Sequence, residues 1–173
     1  MGEISIKYSK IEYESLNNGP GIRIAIWCQG CSLHCPGCHN QETWEPDGGT
    51  PLTSFDIYDV IDELQKSQYS GITFTGGHPL EDYNIKGVLA MIRPIKAHHS
   101  DKNIWLYTGL TLSMDDIQSD SDIGECLRLC DVVVDGPFVQ ELRDITLPYR
   151  GSSNQRLIDI KKSLENNKIV EWE

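Results

Sequence analysis

Nothing in the sequence is apolar over a length that would span a bilayer, so a transmembrane helix is excluded as its organising element. Met1 to Lys10 also lack the apolar core of a secretory signal. Both absences point to the cytoplasm, a reducing compartment in which clustered cysteines bind metal or do chemistry instead of pairing as disulfides. Positive charge is in short supply too: 15 Lys and Arg stand against 26 Asp and Glu, for a net charge of −11. Phosphate-rich partners need a cationic face, so DNA and RNA are excluded as expected partners. A protein with a basic patch or a small ligand remains, beside the plainer reading of an acidic, solvated surface. There are no internal repeats, no low-complexity tracts and no linker-like stretch. The 173 residues therefore read as one domain, 1–173, with enough chain to bury a core.

What the chain does have is cysteine. Four of its six lie in Trp27-Cys28-Gln29-Gly30-Cys31-Ser32-Leu33-His34-Cys35-Pro36-Gly37-Cys38-His39-Asn40. A hydrophobic core has no use for that density of thiols in a loop. Cys31, Cys35 and Cys38 follow a C-x3-C-x2-C spacing, and three thiolates so placed can converge on one inorganic centre. Two readings follow. A [4Fe–4S] cluster normally takes four cysteines; held by three, it keeps one iron open to a ligand that is not protein. Counting Cys28 gives C-x2-C-x3-C-x2-C, a possible four-thiolate zinc site. Zinc knuckles, however, usually separate their two pairs by about a dozen residues. Cys28 also falls in phase with the apolar face of the strand before it, which favours the three-cysteine reading.

The rest of the pattern says where this loop sits. Ile4, Ile6 and Tyr8 alternate in an extended lead-in over 4–13. Asn17-Asn18-Gly19-Pro20-Gly21 is dense turn chemistry. Ile22, Ile24, Ile26 and Cys28 then share one face of a strand over 21–28, with Ala25 and Trp27 making the other face partly apolar. Thr53, Ser54 and Asp56 open a helix that carries Ile57, Val60, Ile61 and Leu64 at helical spacing. A short strand over 71–75 ends in Gly76-Gly77. Ile85, Val88, Leu89 and Ile92 mark a second helix, expected to be interrupted at Pro94, with His98-His99 at its solvated end. A third strand, 103–108, ends at Gly109. Ser113 and Asp116 open a short helix, and Ile123, Cys126, Leu127 and Cys130 stripe another. Val132-Val133-Val134 centres a strand over 131–135 that ends at Gly136-Pro137. Beyond it lies a C-terminal extension, 137–173, in which a terminal hairpin is expected around Asn166-Asn167.

Strands and helices in this alternation imply right-handed crossovers and an α/β fold with a mainly parallel sheet of βα repeats. Ligands in such folds sit at the carboxyl ends of the strands. The cysteine loop over 28–40, Gly76-Gly77-His78, Thr108-Gly109 and Asp135-Gly136 are therefore expected to converge. Each has two readings on its own. The glycine pair lets backbone approach a ligand closely, or simply makes a βα turn. Asp135-Gly136-Pro137 holds a cation or a ligand hydroxyl, or is a turn. Tyr149-Arg150-Gly151-Ser152-Ser153-Asn154-Gln155-Arg156 binds an anion, or is a capped loop. Cys126 and Cys130 read as packing on an apolar helix face, in preference to a redox pair.

Taken together, these motifs resemble the radical S-adenosylmethionine (SAM) superfamily, within it the activating enzymes of glycyl radical enzymes. The residues that carry the resemblance are Gly19-Pro20-Gly21-Ile22-Arg23, Gln29-Gly30-Cys31, Cys35, Cys38, Thr43-Trp44 and Gly76-Gly77. Within that group, Tyr107-Thr108-Gly109, Val134-Asp135-Gly136-Pro137-Phe138 and the 150–156 run are similar to activases of anaerobic (class III) ribonucleotide reductases. The resemblance implies a partial (β/α) barrel and a [4Fe–4S] cluster on Cys31, Cys35 and Cys38. SAM would bind the open iron, with Gly76, Gly77 and His78 near its methionine part and Thr108 and Asp135 on the ribose or sulfonium side. His39, just after the last cysteine, belongs to the same cofactor-binding set. His78 stands where the family has Glu or Asp, and His39 matches the pyruvate formate-lyase activase pattern more than the reductase one. The implied reaction is reductive cleavage of SAM and formation of a glycyl radical on a large reductase subunit, with a flavodoxin-like or ferredoxin-like reductant. The alternatives are an activase of another glycyl radical enzyme and a non-catalytic iron–sulfur or zinc module.

Overall fold

A computed structural model describes residues 6–173; Ile4, the first residue of the expected alternation, lies outside them. The strands are β1 (Lys7–Ser15), β2 (Ile22–Cys28), β3 (Thr50–Pro51), β4 (Tyr69–Gly76), β5 (Asn103–Tyr107), β6 (Val132–Asp135) and β7 (Arg156–Asp159). They form one open sheet in the order β3-β1-β2-β4-β5-β6-β7. The centre, β2-β4-β5-β6, is parallel. The flanks, β1 with β3 on one side and β7 on the other, are antiparallel. The fold is thus mixed α/β with a parallel core, as the alternation predicts.

Helices α1 (Ser54–Leu64), α2 (Ile85–His98), α3 (Met114–Gln118), α4 (Asp122–Leu129) and α5 (Ile160–Asn166) complete the chain. Among the described residues, no helix is long and apolar enough to cross a membrane. Two helix starts use the cap chemistry that the sequence offers. Thr53 accepts from the Asp56 N–H while the Asp56 carboxylate accepts from the Thr53 N–H, and Ser113 with Asp116 repeats the arrangement. The expected break at Pro94 does not occur: α2 continues to His98. Proline inside a helix costs about 3 kcal/mol, yet Met91, Ile92 and Ile95 around it are fully buried, and that packing keeps the turn helical.

The C-terminal hairpin is also replaced. Asp159 accepts from the Lys162 N–H and starts α5, and Asn167, left-handed at φ 49°, ends it. The chain returns to β7 through the bridge between Ile158 and Glu171, with Asp159 N–H donating to the Val170 carbonyl at 2.9 Å and Trp172 N–H to that of Leu157 at 2.7 Å. The Asn pair therefore terminates a helix.

The two faces of the sheet bury different things. Ile24, Ile26, Ile72, Phe74, Ile104 and Leu106 face the main core with α1, α2 and α4. On the other face Trp105, Val132, Val134 and Leu157 pack under Tyr149 and Trp172 of the C-terminal extension. Arg23 is buried on β2, where it bonds Thr73 Oγ1 (2.7 Å), the Pro20 carbonyl (2.9 Å) and Asn103 Oδ1 (2.8 Å). It thereby pins the 17–21 turn to β4 and β5.

Candidate functional site

In parallel strands the carboxyl ends share one edge, and register fixes which residues meet there. Cys28 pairs with Gly76 and Tyr107 with Val134. Beyond this edge lies a cavity of about 130 Å³ whose wall includes Cys31, Cys35, Cys38, Gly76, Gly77, His78, Thr108 and Gly136. The expected convergence is therefore observed for the cysteine loop, the glycine pair, His78, Thr108 and Gly136.

The loop is fastened at its base. Gly30 N–H donates to the Thr43 carbonyl (2.6 Å) and Cys31 N–H to that of Trp44 (3.0 Å). The Gln29 side-chain amide donates to the Glu42 and Glu45 carbonyls at 3.1 and 2.8 Å. Asn84, buried at the start of α2, donates to the Gln29 and His78 carbonyls at 2.9 and 3.0 Å. His34 adopts φ 47° and stacks on Trp44 at 4.5 Å.

The glycine pair has a steric reason beyond the one expected. Gly77 N–H donates to the Cys28 carbonyl and His78 N–H to the Gly30 carbonyl, both at 2.8 Å. A β-carbon on Gly77 would sit 2.5 Å from the Gly30 oxygen, and one on Gly76 would sit 2.8 Å from the Trp27 Cα. The pair thus lets the end of β4 lie directly on the base of the cysteine loop, as well as lining the cavity.

His78 faces this wall but is 5% exposed. Its Nε2 is 2.7 Å from Thr108 Oγ1 and its Nδ1 is 3.4 Å from Glu81 Oε1. Burial pushes the imidazole below its ordinary value, with Glu81 opposing. Thr108 Oγ1 also receives the Leu110 N–H at 3.2 Å.

Two expected site residues stand apart from the cavity. Asp135 is fully buried; its carboxylate accepts from Arg156 Nε at 3.0 Å and from the Leu112 N–H at 2.8 Å, and it does not line the cavity. It holds the strand end so that Gly136 reaches the wall, and the proposed contact with ribose or sulfonium is withdrawn for it. His39 is exposed, its ring 5.7 Å from Phe138 and edge-on to it, and it too is off the cavity wall. The 150–156 run is a clamp. Gln155 Oε1 accepts from the Gly151 and Ser152 N–H groups at 2.9 and 3.1 Å, and its amide donates to the Gly136 carbonyl at 3.0 Å. Asn154 donates to the Pro137 carbonyl at 2.8 Å. Arg156 is spent on Asp135, so the anion-binding reading of this loop loses one of its two cations.

The donor set fits an iron–sulfur cluster better than a lone zinc ion. Cys28 is fully buried in the main core, and burial with a contribution from Cys126 pushes its thiol up to about 12. It is withdrawn from any four-thiolate set. Three thiols spread around a cavity suit a body with several irons, each taking one sulfur.

The fold is an α/β domain with three cysteines on one cavity wall, and the family model described as a 4Fe-4S single cluster domain matches residues 17–158, which makes it an iron–sulfur domain. The anaerobic ribonucleoside-triphosphate reductase-activating protein of Escherichia coli is 38% identical over 140 residues, covering 80% of this chain and 88% of that protein. The protein of the same name from Enterobacteria phage T4 is 35% identical over 152 residues, covering 88% and 93%. This chain belongs to the family of anaerobic ribonucleoside-triphosphate reductase-activating proteins. Among solved structures, QueE from Escherichia coli matches with a TM-score of 0.47 and 18% identity, covering 62% of this chain and 54% of that one.

The sequence pointed to neither Glu81 nor Asn84, and it singled out Gln29 and Arg23 only as parts of motifs, without the roles they take here. Each is a polar residue whose role depends on a partner far along the chain. The one local signal was Asn84, directly before the first residue of the predicted second helix.

Proposed function

We propose that this chain is a radical SAM oxidoreductase that activates an anaerobic ribonucleotide reductase by generating a glycyl radical on its large subunit. One observation carries the reading: Cys31, Cys35 and Cys38 share one cavity wall while Cys28 is turned into the core. Three thiolates and no fourth are what leaves an iron free for SAM. A [4Fe–4S] cluster bound there supplies the electron for reductive cleavage of SAM, the radical chemistry being the cofactors' own.

The chain's residues bind, orient and exclude water. Gly76 and Gly77 offer backbone to the methionine part of SAM. His78 and Thr108 close the wall beside it as a neutral, hydrogen-bonded pair, so no extra positive charge meets the SAM ammonium. Gly136, gripped by Gln155, adds a further part of the cavity wall. A wider groove of about 540 Å³ adjoins the cavity and shares Asn40, Thr75 and Tyr107 with it. It is bounded by Leu16 to Asn18 and by Ile145 to Gly151, and it is the place for the glycine-bearing segment of the reductase. A flavodoxin-like or ferredoxin-like protein serves as reductant.

The test is anaerobic reconstitution with iron and sulfide, followed by SAM and dithionite. The expected result is 5′-deoxyadenosine, and a glycyl EPR signal once the cognate reductase is added. One zinc per chain without sulfide overturns the reading.

A further inference from the structure

The base of the cysteine loop is held by the bonds of Gln29 and Asn84 described above, and its far end by Asn40, whose side-chain amide donates to the Gly76 carbonyl at 3.3 Å. Between Cys31 and Cys38, the one side chain from outside the loop that hydrogen-bonds it, among the described residues, is Glu81. Its Oε1 accepts from the Ser32 N–H at 2.8 Å and from Ser32 Oγ at 2.6 Å, across 49 residues of sequence. The same oxygen is 3.4 Å from His78 Nδ1, and His78 Nε2 is 2.7 Å from Thr108 Oγ1. A carboxylate only accepts, so Nδ1 carries the imidazole proton and Nε2 accepts from the Thr108 hydroxyl. One carboxylate thereby joins the residue after Cys31, the side chain after the glycine pair and, through it, the end of β5. Hydrogen bonds to a charged acceptor are the stronger kind, and this one acts on backbone adjacent to a thiol.

We propose that Glu81 is a positioning residue for the iron–sulfur site: it holds Ser32, and with it Cys31, against the His78 wall and sets one negative charge beside the cluster. The proposal rests on reading Cys31, Cys35 and Cys38 as the ligands. Groups beyond the ligands both orient them and tune the potential. The tether should slow cluster loss, and the charge should make an added electron less welcome and so lower the midpoint potential.

Wild type, Glu81→Ala, Glu81→Gln and Ser32→Ala are reconstituted anaerobically and compared by iron and sulfide content, by the rate of iron loss to excess chelator, and by potentiometric EPR titration. Glu81→Ala should lose iron about tenfold faster, the value of roughly one charged hydrogen bond. Ser32→Ala keeps its N–H and should show a smaller increase. Glu81→Gln keeps an acceptor and should restore slow loss, yet share with Glu81→Ala a less negative potential, because both lack the charge. A residue that merely supports the fold would not move the potential in a folded Glu81→Gln. Wild-type release rate and potential in Glu81→Ala overturn the proposal and leave the three-cysteine reading intact. Should Glu81→Ala fail to fold, an unchanged potential in Glu81→Gln overturns it. Wild type that takes up no iron and sulfide overturns both.

Discussion

Cys31, Cys35 and Cys38 line one cavity, whereas Cys28, Cys126 and Cys130 are 0, 0 and 4% exposed inside the core. Cys28 and Cys31 are three residues apart and fall on opposite sides of this division. The difference is where the strand ends. Cys28 is the last residue of β2, paired with Gly76 and buried in the main core. Cys31 has already left the sheet. Its thiol is also raised by partial burial, but backbone N–H groups of Leu33 and His34 oppose that shift. Nothing of that kind outweighs burial at Cys28, pushed up to about 12. Backbone position, more than spacing, therefore separates the cavity cysteines from the core cysteines.

The largest expected effect tests that division directly. Cys35→Ala removes one of three cavity thiols, and iron and sulfide after anaerobic reconstitution should fall to background. Wild-type iron content with an unchanged EPR spectrum in this variant would sink the assignment. Cys126→Ala, by the same measurement, should bind iron as the wild type does.

Much of this was legible in the sequence because it depends on neighbours. Period-two alternation marked β2, the cap residues Thr53 and Ser113 marked helix starts, and strand order placed the loop at the sheet edge. The failures share a cause. Asp135 looked available because nothing local revealed that Arg156, 21 residues later, would take up its carboxylate. Glu81 was invisible because its partner is Ser32. Pro94 was over-weighted because tertiary burial, not propensity, decides that turn. Long-range polar pairing is what a single sequence hides.

Next in size is the Asp135–Arg156 ion pair, next to Gly136 of the cavity wall. Arg156→Ala would strand a fully buried carboxylate, which typically costs about 3–5 kcal/mol. Chemical denaturation should show that loss in full, and Asp135→Asn combined with Arg156→Ala should recover part of it. A loss below about 1 kcal/mol, ordinary for exposed pairs, would mean that Asp135 reaches water. Cys28→Ala should cost less, about 1–3 kcal/mol for a buried truncation, while leaving iron content unchanged. Lost iron in a folded Cys28→Ala would return Cys28 to the ligand set and revive the four-thiolate alternative.

The smallest effect concerns His78, which stands on the cavity wall yet titrates as an interior group. Burial is the main cause of its lowered value, with Glu81 pulling the other way. The unfolded chain therefore takes up a proton on this side chain at a pH where the folded protein does not. By linkage, the unfolded state binding more protons means that stability rises with pH. The contribution is complete above the ordinary value of 6.5 and is lost as pH falls below it toward the folded value. Glu81, Asp116 and Glu125 are shifted down from 4.5, 3.8 and 4.5, so their contribution is lost only in the more acid range. Thermal midpoints of the cofactor-free protein should therefore drop between about pH 7 and pH 5, and His78→Gln should flatten that drop. Equal slopes in the two proteins would mean that the imidazole is as free to charge as an exposed one. The wall would then belong with solvent, and the buried His78–Thr108 pair could not keep positive charge out of the cavity.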